Sequence, residues 1–117
     1  MDIEQVRECA LSLFGVTEDM PFGDDFVTFR IEGKIFVCLC LGADHPWFAL
    51  KLPPDRNEEL RAQYDGITPA WHWNKRHWSD IHYGQFESEQ VAKWIKEAYD
   101  LVLSKLPKSV RINYPSA

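Results

Sequence analysis

The strongest constraint on the fold is the run Phe26–Leu52, where three short apolar segments follow one another across brief reversals. In Phe26–Ile31, Val27, Phe29 and Ile31 alternate with Thr28 and Arg30, the period-two pattern of a half-buried strand. Glu32-Gly33 then turns the chain, the glycine supplying the positive φ of a two-residue hairpin turn. Lys34–Leu41 is apolar on both sides beyond Lys34 and reads as a covered central strand. After a loop over Gly42–Pro46, Trp47–Leu52 forms a third strand with Phe48, Leu50 and Leu52 inward. Pro53-Pro54 ends it, because proline cannot donate to a ladder. Strands joined by such short links lie antiparallel.

Helical periods flank this region. Asp2 and Gln5 have capping-box spacing, and Ile3, Val6, Ala10 and Leu13 recur at helical intervals, predicting a helix over about 3–14 closed by Gly15. The acidic segment Gly15–Asp25, with Pro21 and Gly23, reads as a loop. Asp55 and Glu58 repeat the capping spacing before a short helix to about Tyr64, which Asp65-Gly66 terminates. Ile67–Trp73 and His77–Tyr83 read as two more strands, joined by Asn74-Lys75-Arg76. Ser88 caps a last helix with Val91, Trp94, Ile95, Ala98, Tyr99 and Val102 along its apolar stripe. Pro107 stops that helix, and the tail over 108–117 is expected to fray. The expectation is one domain over 1–117: an α+β two-layer sandwich, ordered helix–three strands–helix–two strands–helix, with helices covering one face of an antiparallel five-stranded sheet.

Charge bears on what such a domain can bind. The net charge is −5, but residues 1–25 hold seven acids against Arg7 alone. The other 92 residues carry eleven acids and twelve bases, so acidity belongs to one end and a basic face elsewhere is allowed. Three cysteines, Cys9, Cys38 and Cys40, are an odd count, and Cys38 and Cys40 point the same way from one strand, which suits reduced, buried thiols. No apolar run is long enough to span a membrane, and the opening Met-Asp-Ile-Glu is acidic where a signal peptide is basic. A cytoplasmic protein is expected.

The chemistry-bearing stretch is Thr68–Trp78. It holds three of the five tryptophans, two of the four histidines and an adjacent Lys-Arg pair, with no acid. Two readings follow. Lys75 and Arg76 at a hairpin tip, with Lys51, Arg56 and Arg61 near them and Asn74, His77 and Trp78 beside them, form a candidate nucleic-acid surface. Alternatively, Trp71, His72, Trp73 and His82 form a pocket for a protein or a small ligand. Alternation puts Trp71 and Trp73 on the same side of a strand, where Trp78 opposite would complete an apolar cluster. His72 and His77 would lie nearly opposite each other, and Asp80 and His82 share a face. No His-x3-His or Cys-x2-Cys spacing accompanies them, so no metal is expected. No glycine-rich phosphate loop, nucleophile elbow or carboxylate dyad is present, so neither a cofactor nor an enzymatic activity is expected.

Pro21-Phe22-Gly23, Gly33-Lys34-Ile35-Phe36, the segment Lys51 to Pro54 running into Leu60-Arg61, Thr68-Pro69 and above all Asn74-Lys75-Arg76-His77-Trp78 resemble the MmcQ/YjbR family of small bacterial proteins. The resemblance runs from about Ile3 to Pro107. It implies a frataxin-like or secretion-chaperone-like α/β sandwich. It also implies DNA binding through a double-wing surface, the label commonly given to family members, with no enzymatic activity attached.

Overall fold

The computed structural model describes residues 1–42, 44 and 46–115. Its elements are α1 (Ile3–Leu11), β1 (Thr17–Asp19), β2 (Phe26–Ile31), β3 (Lys34–Cys40), β4 (Phe48–Lys51), α2 (Pro54–Gln63), β5 (Ile67–Pro69), β6 (Trp78–Ile81), a 3-10 turn at Tyr83–Gln85, α3 (Ser88–Ser104) and α4 (Lys108–Arg111). They form a two-layer α+β sandwich on an antiparallel sheet of order β1-β2-β3-β4-β6-β5. The loop expected at Gly42–Pro46 falls partly on residues 43 and 45, which lie outside the described residues, as do tail residues 116 and 117.

The sheet has two distinct faces, set by alternation. Phe29, Ile31, Leu39, Phe48, Leu50 and Ile81 point to one side, where Val6 and Ala10 of α1, Leu60 of α2 and the stripe of α3 bury them. Cys38, Ala49 and Trp78 point to the other, with Phe26, Ile35, Trp47 and Trp73 packed around them. A bulge explains why β3 looked apolar on both sides. Val37 pairs with Phe29 and Ile35 with Arg30, leaving Phe36 as an extra residue, so Phe36 and Val37 both join the helix-facing core. Glu32 (φ 48°) and Gly33 (φ 80°) make the predicted primed turn between β2 and β3.

Several expectations need correction. The sheet has six strands among the described residues, not five, because Thr17–Asp19 pairs with β2. All three of its residues are exposed, so no apolar alternation marked it. Polar links fasten it instead: Asp19 accepts from the Thr28 hydroxyl and pairs with Arg30 at 3.0 Å, and Arg7 pairs with Glu18 at 2.5 Å. The Asp2–Gln5 capping box is made in both directions, yet α1 stops at Leu11 rather than 14, ahead of the left-handed Gly15 (φ 79°). Neither Asp55 nor Ser88 caps its helix: α2 begins on Pro53-Pro54 and α3 behind Glu87.

The tail is not frayed over its described length. Past Pro107 it makes the short turn of α4, and Tyr114 stacks edge-on against Phe14 at 5.4 Å while donating to Glu32 at 3.0 Å. Gly15 leaves room for that ring, since a Cβ there would meet it at 2.8 Å. The largest correction concerns residues 67–83. The two long strands expected there shrink to β5 (Ile67–Pro69) and β6 (Trp78–Ile81), and the Trp-rich stretch between them leaves the sheet.

An aromatic cleft over the open face of the sheet

The departing segment, residues 70–77, folds back over the sheet face opposite the helices. Trp71 and Trp73 therefore do not lie side by side on a strand. Trp73 stacks on Trp78 with ring centres 4.4 Å apart and meets Phe22 edge-on at 5.8 Å. Trp71 is 77% exposed, the most open of the large apolar side chains. His72 lies nearly parallel to Trp47 at 6.2 Å and edge-on to Phe26 at 5.5 Å. The expected opposition of His72 and His77 is absent, because β5 ends at Pro69 and His72 packs on Trp47 and Phe26 while the His77 amide is bonded to Asn74.

Contacts inside the fold hold this loop in place. Asn74 makes the turn with its side chain, Oδ1 accepting the Arg76 amide at 2.9 Å and the His77 amide at 3.2 Å. Lys75 donates from Nζ to the Ala70 carbonyl at 2.6 Å. Arg61, reaching across from α2, donates to the carbonyls of Lys75 and Trp78 and, at 2.9 Å, to the Ser79 hydroxyl. Asn57, wholly buried, donates to the Leu52 and Arg76 carbonyls at 3.0 Å each and accepts from Ser79 at 2.7 Å. Arg56 is spent elsewhere, bound through both arms to Glu97 and also to Glu59. Of the eight residues proposed for nucleic acid, Arg56, Arg61, Asn74, Lys75 and Trp78 thus have structural partners. Arg76 and His77 stand exposed, and Lys51 is half-buried at the end of β4.

The pocket residues gather differently. Between the loop and the sheet lies a cleft of about 660 Å³, walled by Trp47, Phe26, Trp71 and His72. Asp80 of β6 and His82 just beyond it line the same space, with Thr68 of β5 next to them. Thr68 Oγ1 lies 3.3 Å from His82 Nε2. Trp73 faces an adjoining hollow of about 390 Å³, divided from the first by His72 and Phe26. The shared face of Asp80 and His82 was legible from their two-residue spacing. Phe26 and Trp47 were missed as walls, because only the loop's return brings His72 against them.

Asp80 is the unusual group. It is only 5% exposed; Oδ2 accepts the Trp71 amide at 3.0 Å, while Oδ1 has no hydrogen-bond partner among the described residues. Burial raises its carboxyl above the ordinary range, partly offset by the Trp71 amide and the charges of His82, His72 and Lys75. A carboxyl whose folded pKa exceeds its unfolded one supports the fold fully below the unfolded value. That support is lost as pH rises through the raised value. Asp80→Asn keeps an acceptor for the Trp71 amide and abolishes the loss. The variant is expected to be more stable than the native protein at neutral pH, an advantage that shrinks as pH falls and vanishes below the ordinary carboxylate range. Urea unfolding at neutral pH and below that range measures this.

Burial, helped by neighbouring Cys40, pushes the Cys38 thiol up to about 12. Among the described residues no three His, Cys, Asp or Glu side chains are grouped to hold a metal ion. No helix among the described residues is long and apolar enough to cross a membrane.

The same architecture occurs in known proteins. An uncharacterised protein of Escherichia coli O157:H7, YbdF, is 33% identical over 106 residues, spanning 90% of this chain and 87% of the relative. The crystal structure of the Deinococcus radiodurans protein DR2400, with its domain DUF419, is similar with a TM-score of 0.87 at 25% identity, over 97% of this chain and 88% of that one. A Pseudomonas syringae protein solved by NMR shares the fold at a TM-score of 0.72 and 23% identity, over 86% of this chain and 92% of that one. The family model YjbR matches residues 11–101, the span from the end of α1 through most of α3, and the chain belongs to the YjbR family.

Proposed function

We propose that the chain is a non-catalytic binding module that takes a small ligand in the cleft between the sheet and the 70–77 loop. One observation carries the reading: Asp80, almost wholly buried and with a carboxylate oxygen that has no hydrogen-bond partner among the described residues, lines an aromatic-walled cleft. A buried polar atom without a partner costs about 1–3 kcal/mol, and a donor arriving with a ligand removes that cost. The clamping of the loop by Asn57, Arg61 and Lys75 supports it further, since a pre-formed pocket loses less entropy on binding. The inert Cys38 thiol supports leaving catalysis out.

DNA binding is the second reading, favoured by a different part of the molecule. Lys34, Lys51 and Lys105 line a common cleft of about 290 Å³ at one end of the sheet, and none of the three has an ion-pair partner among the described residues. The exposed Arg76 and His77 belong to the same end, where the Leu52 amide bonds the His77 carbonyl. Following the indole N–H signals of Trp47, Trp71 and Trp73 during titration with small aromatic compounds tests the first reading. Shifts confined to those indoles support it, and their absence across the set overturns it. Titration with a short DNA duplex tests the second: affinity whose logarithm falls linearly with log salt, weakened by Lys51→Glu, supports phosphate contacts.

A further inference from the structure

We propose that the ligand of the aromatic cleft is a small organic cation, a primary ammonium group on an apolar body. The inference rests on the reading of that cleft as a ligand site and specifies what it selects. Three features of the site converge on it.

The first is the free oxygen. Asp80 Oδ2 is already engaged by the Trp71 amide, which leaves Oδ1 as the acceptor for an incoming donor. One free acceptor suits a single N–H of an ammonium. The protein's own nearby cation does not take the place: Lys75 Nζ is held on the Ala70 carbonyl at 2.6 Å.

The second is the walls. Trp47, Phe26 and the exposed ring of Trp71 surround the space with aromatic carbon, and His72 lies against both Trp47 and Phe26. Tryptophan faces attract ammonium groups through their quadrupole, and the attraction grows where water is excluded. The same carbon takes up the apolar body of the ligand.

The third is the sign of the lining charge. Asp25 and Asp80 are the acids lining the cleft, and among the described residues no lysine or arginine lines it. Among the described residues the other titratable groups there are His72, His82 and Cys40. A carboxylate or phosphate ligand would set its charge against two acids, whereas an ammonium meets them favourably.

The test uses three compounds of closely similar shape: phenethylamine, its neutral analogue 2-phenylethanol, and the anion phenylacetate. Binding of each to the intact protein is measured by calorimetry and located by the Trp47 and Trp71 indole signals. The amine is expected to bind at least about tenfold more tightly than the alcohol, and the anion most weakly. In Asp80→Asn the amine should lose that preference while the alcohol binds as before. Equal binding of amine and alcohol to the native protein would overturn the cation assignment and leave the cleft a site for neutral ligands. Failure of all three to move the indole signals would overturn the site itself. The comparison on the native protein stands whether or not the variant folds.

Discussion

Replacing Asn57 by alanine is expected to cost about 3 kcal/mol or more, a large share of the stability of a domain this size. The side chain is wholly buried and uses its full amide, two donors and one acceptor. Its loss strands the buried Leu52 carbonyl, takes the acceptor from the Ser79 hydroxyl, which keeps only Arg61, and frees the part-buried Arg76 carbonyl; a buried orphan costs about 1–3 kcal/mol before relaxation. Asn57→Asp should be at least as damaging. A carboxylate cannot donate, and it would set its charge against the two carbonyls that asparagine satisfies. The consequence extends beyond stability, because the Arg76 carbonyl belongs to the loop that roofs the cleft. Urea unfolding gives the energy, and hydrogen exchange at the Arg76 and His77 amides gives the loosening. Unchanged exchange alongside a large loss of stability would show that Asn74, Lys75 and Arg61 hold the loop without Asn57.

Trp94→Ala should cost about 3–5 kcal/mol, lowering the thermal midpoint by about 10–20 °C. Trp94 has no exposed surface and sits edge-on to Phe86 at 4.9 Å and to Tyr64 at 5.4 Å. Removing the indole opens a cavity where α3, the end of α2 and the turn after β6 meet. Trp94→Phe should cost much less, because it retains most of the volume and discards Nε1, which has no hydrogen-bond partner among the described residues. Trp94 lies on the helix side of the sheet, away from the cleft. The folded fraction of either variant should therefore bind cleft ligands with native affinity, which the phenethylamine titration checks.

The two faces of the sheet were not equally legible in the sequence. The helix-facing core was, since Phe29, Ile31, Phe48 and Leu50 alternate and the α3 stripe has a clear helical period. Strand β1 was hidden because polar bonds from Asp19 and Glu18 hold it, and such bonds leave no periodic mark. The stretch after Pro69 misled in the opposite direction, with Trp71 and Trp73 spaced as on a strand. There the Trp71 amide goes to the Asp80 carboxylate, and Arg61 takes the Trp78 carbonyl and the Lys75 carbonyl of the loop. Side chains outcompeted the ladder, and the propensity of single residues does not report that. The cleft was half visible for the same reason. Asp80 and His82 share a face by arithmetic, but Trp47 and Phe26 join them only through long-range folding.

The sheet order places β6 between β4 and β5, although both precede it in the chain. On the ribosome, β4 therefore emerges with one edge unpaired and stays so until residues 78–81 follow. At about 5–20 residues per second that interval lasts roughly 2–6 s. Throughout it, Phe48, Ala49 and Leu50 offer open backbone to any neighbouring nascent chain. The proline pair that follows Leu52 limits how far a foreign strand can extend along that edge, a safeguard that matters before the protein is complete.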